Sequence, residues 1–240
     1  MALDTKARLS MNAASGAATK EIDQGLRSYM LKVYNYMGSA LALSGVVGFF
    51  VATNQSLQQV IFGTGLMWLF VLAPFGLVFF LSAKINSMKA STAQTVFWVF
   101  AGLMGISLST ILLQYTGASV ARVFFITAGT FGAMSLYGYT TKSDLTKWGS
   151  LLFMGLIGII IAGIVNIFLA SSALQFAISV IGVLVFVGLT AYDTQKIRRM
   201  YFEADSSEVS SKKAIMGALT LYLDFINLFI MLLRLFGQRN

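Results

Sequence analysis

AIMGALTLYLDFINLFIMLLRLF, residues 214–236, is a stretch built for lipid except at Asp224. Lys212 and Lys213 precede it and Arg234 lies near its end. At 1.5 Å per helical residue, the run from Lys213 to Arg234 covers about 31 Å, close to the ~30 Å thickness of a bilayer's hydrocarbon. Asp224 therefore falls near mid-membrane, where a lone charge costs at least ~2.5 kcal/mol even on the lenient insertion scale. The acid requires a compensating partner.

The rest of the chain has the same character. Of its 240 residues, 57% are hydrophobic and 11% charged, against about 25% charged in soluble domains. The composition predicts an all-α integral membrane protein with no room for a separate soluble catalytic domain. There is no cysteine and no histidine, which leaves no material for disulfides, thiolate catalysis, haem ligation or a histidine-bound zinc. Any pH response must come from carboxylates or lysines, and any bound metal would be a hard, oxygen-seeking cation such as Ca2+. No other cofactor is implied. The net charge of +8 sits in short loops beside apolar segments, as topology signals do. Its expected partners are the acidic headgroups of the lipid bilayer, not nucleic acid.

Seven apolar segments are long enough to cross, at about 29–52, 63–83, 94–114, 119–140, 148–170, 174–195 and 214–236. Residues 1–28 are small and polar and lack an apolar signal-peptide core, so they read as a mobile cytoplasmic tail ahead of a single seven-helix transmembrane domain, 29–237. With that tail inside, fourteen of the 17 Lys and Arg fall on the cytoplasmic side and only Arg122, Arg234 and Arg239 on the other. This bias places the N-terminus in and the C-terminus out. Small residues recur within spans (Ser44 and Gly48, Gly102 and Gly105, Gly129 and Gly132, Gly158 and Ala162), a spacing that lets helix backbones approach. Asp144, Glu203, Asp205 and Glu208 read as solvated loop charges.

The candidate partner of Asp224 is Asp193, which ends the sixth segment in GLTAYDTQKIRRM. The depth match is imperfect. Asp193 lies about 4.5 Å before Lys196, whereas Asp224 lies about 15 Å beyond Ala214, so tilt or a loop dipping into the bundle must close the gap. On the last segment Thr220, Asp224, Asn227, Met231 and Arg234 recur at helical spacing and form one polar stripe. Such a stripe faces protein or a water-filled path, not lipid. Two carboxyls in a low-dielectric site cannot both ionise cheaply, so they share a proton and titrate as a unit. This predicts a pH sensor or gate made of Asp193 and Asp224, in which Ca2+ could replace the shared proton.

The run Leu-Tyr-Leu-Asp-Phe-Ile-Asn-Leu-Phe (221–229) followed by Leu-Leu-Arg (232–234) resembles the final-helix signature of the Bax inhibitor-1 family, also called the transmembrane Bax inhibitor motif family. Tyr192-Asp193-Thr194-Gln195 resembles that family's sixth-helix ending, and the likeness covers about residues 25–237. The resemblance implies a seven-transmembrane-helix bundle with the last helix central, in a bacterial cytoplasmic (inner) membrane. It also implies a pH-sensitive calcium leak controlled by two hydrogen-bonded aspartates, here Asp193 and Asp224. An arginine near the inner end of the second helix latches the first aspartate in calcium-leak members; Lys84 stands nearest that place here. Other bacterial members are associated with restraining a membrane-anchored AAA protease, a role for the basic tail that needs no ion path. An enzyme is not expected. Intramembrane aspartyl proteases carry Gly-x-Gly-Asp and Pro-Ala-Leu elements, whereas Asp224 follows Leu-Tyr-Leu and Pro74 precedes Phe75.

Overall fold

A helix satisfies its own backbone polar groups, which is what an apolar chain needs in lipid, and helices dominate the computed structural model. Residues 24–240 are described in full; up to residue 23 the expected tail lies outside the described residues. The helices are α1 (Ala2–Thr53), α2 (Gln55–Gly63), α3 (Leu66–Lys84), α4 (Ala90–Gln114), α5 (Gly117–Thr140), α6 (Thr146–Leu169), α7 (Ser172–Arg199) and α8 (Ser207–Phe236). Seven are long and apolar enough to cross a membrane, α1 through Gln24–Thr53. Their limits follow the apolar segments closely, with two differences. Asn54, expected to lie in a break, caps α2 by accepting a hydrogen bond from the Leu57 N–H at 3.1 Å. Ser206 likewise caps α8, so Lys212 and Lys213 belong to the helix and the loop expected at 196–213 shrinks to a short connection.

Of the most apolar stretch of α8, 72% is buried, against 6–39% in the other spans. The helix packs on α1, α4, α5 and α7. At the periphery α3 rests on α4 and α6 rests on α7. α1 and α4 cross closely, where a Cβ on Gly105 would lie 2.7 Å from the Ser44 carbonyl oxygen. Ser44 Oγ donates to the Ala101 carbonyl at 2.6 Å and meets the buried Tyr222 hydroxyl at 2.7 Å, tying α1, α4 and α8 at one point. The small-residue reading thus holds for Ser44, Gly48 and Gly105. It fails for Gly102, Gly129, Gly132 and Gly158, where an added Cβ would meet nothing within 4 Å.

The loop acids are not simply solvated. Asp205 pairs with Lys213 at 2.5 Å, and Lys213 also donates to the Met200 carbonyl at 2.9 Å. Glu208 accepts the Ala90 N–H at 2.5 Å, placing a negative charge at the N-terminus of α4. Asp144 pairs with Arg199 at 2.8 Å. The early start of α8 explains two of these contacts, since it sets Glu208 and Lys213 on a rigid helix beside their partners. At the opposite end, Thr116 N–H donates to the Gln238 carbonyl at 2.9 Å and Asn240 N–H to that of Gln114 at 3.1 Å, fastening the C-terminal residues to the α4–α5 turn.

Candidate functional site: an aspartate pair in a membrane cavity

The short connection makes α7 and α8 antiparallel neighbours. Their register is fixed by small residues: a Cβ on Gly217 would sit 3.0 Å from Ile197, and one on Gly182 would sit 2.9 Å from Met231. Taking Ile197 and Gly217 as level, Asp193 lies about 6 Å deeper along α7 and Asp224 about 10.5 Å deeper along α8. The backbone mismatch is thus only about 4.5 Å. A helical Cα–Cβ bond tilts toward its own N-terminus. On antiparallel helices the two side chains therefore lean toward each other along the axis. Asp193 and Asp224, both buried, meet within hydrogen-bonding reach. No donor among the described residues reaches Asp224 Oδ2.

The pair opens on a cavity of about 960 Å³ walled by α3, α6, α7 and α8. Thr220, Asn227 and Arg234 all line it with Asp224, so the polar stripe opens on this cavity. Thr220 and Asn227 each donate to a carbonyl one turn back on α8, at 3.1 and 2.8 Å. Lys84 does not take the expected position. It is exposed at the end of α3 and outside the cavity lining. The cation whose charge bears on Asp193 is Lys196, one turn along α7, which lines the cavity. The lining thus runs from Lys196 at one end, past the acids, to Arg234 at the other.

Each residue of the Tyr-Asp-Thr-Gln string has its own neighbour. Tyr192 and Asp193 face the cavity, and a Cβ on Gly149 would strike the Tyr192 ring at 2.7 Å. Thr194 Oγ1 meets Ser135 Oγ at 2.9 Å, and Ser135 in turn meets Tyr34 OH at 2.5 Å. Gln195 accepts the Leu145 N–H at 2.9 Å and donates to the Ser143 carbonyl at 2.8 Å. Four consecutive residues thereby hold α7 in one rotation, with the acid turned inward. Sequence reasoning missed Ser135, Tyr34 and Gln195 as supports. Lone polar residues within or beside apolar spans were the only signal available.

Outside the spans, hydrogen bonds from Thr146 and then Arg199 pull the Asp144 carboxyl down to about 2. A carboxyl depressed in this way contributes at pH above its unfolded value, and that contribution is lost only as pH falls through about 2. The Asp144–Arg199 pair is therefore constant across the neutral range. Asp144→Asn is expected to leave any pH profile of the protein between roughly pH 5 and 8 unchanged, as read by ion flux or thermal unfolding.

The family model described as "Inhibitor of apoptosis-promoting Bax1" matches residues 26–240. The chain is 53% identical over 221 residues to an uncharacterized protein of Rickettsia prowazekii, covering 92% of this chain and 94% of the relative. To the inner membrane protein YbhL of Escherichia coli it is 48% identical over 219 residues, covering 90% and 94%. To an uncharacterized membrane protein of Streptococcus pyogenes it is 34% identical over 220 residues, covering 91% and 96%.

Proposed function

The chain belongs to the Bax inhibitor-1 family, and from that premise we propose that it is a pH-sensitive cation leak of the bacterial inner membrane, with Ca2+ as cargo and Asp193 and Asp224 as its gate. One observation carries the reading: two acids from antiparallel helices meet inside a cavity that also takes in Thr220, Asn227 and Arg234. Ionisable and polar side chains gathered on one wall of a cavity within spans are costly to keep in lipid unless something passes or binds there. While one proton is shared the acids hold α7 to α8; once both ionise, like charges in contact favour separation. A divalent cation can take the place of that proton.

The donor set suits an ion in transit better than one in residence. Ca2+ takes about 6–8 oxygen ligands. Among the described residues no cluster of three or more His, Cys, Asp or Glu exists to supply a permanent site. Asp193 and Asp224 with the oxygens of Thr220 and Asn227 make a shallow attraction, which suits release on either side. The Lys/Arg bias puts Lys196 toward the cytoplasm and Arg234 toward the outside.

The test is calcium entry into liposomes carrying the full chain and loaded with a fluorescent indicator. Flux above protein-free vesicles, changing across roughly pH 5–8, is the expected outcome. Flux indistinguishable from empty vesicles at every pH would remove the leak. Deleting residues 1–24 should leave flux intact, since Asp193, Asp224, Thr220, Asn227 and Arg234 all lie beyond them in the chain; any restraint of an AAA protease that depends on the tail would be lost in the same variant.

A further inference from the structure

Between α1 and α5 the bundle is open. α1 packs on α4 and α8, and α5 packs on α7 and α8, but the two do not close on each other. The gap is a cleft of about 580 Å³, walled by Leu31 and Met37 of α1 and by Gly132 and Leu136 of α5, and floored by Phe225 of α8. That volume is in the range of small-molecule sites, about 300–1,000 Å³. Among the described residues it shares none of its lining with the aspartate cavity. Across it runs the hydrogen bond from Tyr34 to Ser135.

Depth and charge identify the occupant. From Arg27 to Met37 on α1 is about 15 Å, and from Tyr139 to Ala128 on α5 about 16 Å. Each is about half of the ~30 Å hydrocarbon thickness, so the cleft spans one leaflet and stops. A transmembrane helix from a partner would need the full thickness. At the rim stand Arg27 and Tyr139, and among the described residues no acidic side chain lines the cleft. Arg198, outside the cleft lining, donates to the Tyr139 carbonyl at 2.7 Å with its charge 5.4 Å from the Tyr139 ring centre, and so steadies that rim residue. A ligand that is apolar over one leaflet's depth and anionic at its end fits these walls.

We propose that the α1–α5 cleft is a binding site for an acidic glycerophospholipid of the leaflet at the Arg27 end, one acyl chain lying over Phe225 and the phosphate against Arg27. Neutral lipid would fill the same walls without the charged contact. Lipid binding here is independent of ion passage, because it needs neither aspartate.

The test is lipid retention by the full chain, purified from vesicles of phosphatidylcholine with phosphatidylglycerol and read by native mass spectrometry through stepwise delipidation. The wild type should hold phosphatidylglycerol about fivefold or more over phosphatidylcholine, the preference expected from one basic side chain beside an acidic headgroup. Arg27→Gln should bring the two lipids toward parity. Gly132→Phe, at a position with open space around its Cβ, should lower retention of both by filling the cleft. Leu136→Trp, at a site 63% exposed, should do the same without burden on folding. Parity of the two lipids in the wild type would overturn the site, as would undiminished phosphatidylglycerol retention in both cleft-filling variants.

Discussion

Asp224→Asn is expected to flatten the pH profile of calcium flux, and Asp193→Asn to flatten it equally. A gate that exchanges one proton can shift its equilibrium by at most about 1.4 kcal/mol per pH unit, a factor of about ten. The wild type can therefore change by up to about tenfold per unit near the midpoint of the pair, and either variant by nothing over the same interval. An amide in place of one carboxyl keeps the size and the hydrogen-bonding ability of the group. It can donate to the remaining carboxylate at any neutral pH, so contact between α7 and α8 no longer depends on a proton.

The double variant decides between a pair and two separate sensors. Groups that share a single proton act as one unit, so losing both should cost no more pH dependence than losing one. If each single variant kept about half of the slope and only the double was flat, the acids would be titrating independently and the shared-proton gate would be wrong. Asp144→Asn is the matched control, because it removes a carboxylate near the end of α7 whose charge does not change in this range.

Much of this arrangement was legible in the chain. Hydrophobic length gave the spans, since a crossing helix needs about 20 apolar residues. The spacing from Thr220 to Arg234 gave the cavity-facing stripe, because residues three and four apart share a helix face. Asp193 was recognisable as the partner, but the contact left a gap in depth that straight helices with level side chains could not close. The missing information was three-dimensional: the register set by Gly217 on Ile197 and the opposed lean of side chains on antiparallel helices. Lys84 misled because position along the chain suggested it, while α3 packs on α4 and carries that lysine outside the cavity lining. Small-residue spacing was ambiguous for a related reason. It marks where a helix can be approached closely, but which neighbour arrives depends on the whole bundle, so Gly105 is crossed and Gly132 is left facing a cleft.

Gly138→Ala should be the most disruptive single-methyl change, losing about 1–3 kcal/mol, the range of an overpacked core. A Cβ on this buried α5 residue would lie 2.2 Å from the Ala191 carbonyl oxygen and 2.9 Å from its Cα. Both are backbone atoms, so no side chain can swing aside and α5 must part from α7. Helix propensity points the other way, since alanine for glycine within a helix gains about 0.5–1 kcal/mol. Gly129→Ala on the same helix isolates that gain, because its Cβ would meet nothing within 4 Å. Thermal unfolding in detergent should therefore move in opposite directions for the two variants, down for Gly138→Ala and up for Gly129→Ala. A Gly138→Ala protein as stable as Gly129→Ala would mean that α5 and α7 do not approach as closely as described. The contact bears on function as well as stability. Ala191 lies two residues before Asp193, and Ser135 and Thr194 bond just beyond the crossing. Pushing α7 off α5 there would turn or shift the helix that presents the acid, so a protein that survives Gly138→Ala should also show an altered pH profile of flux.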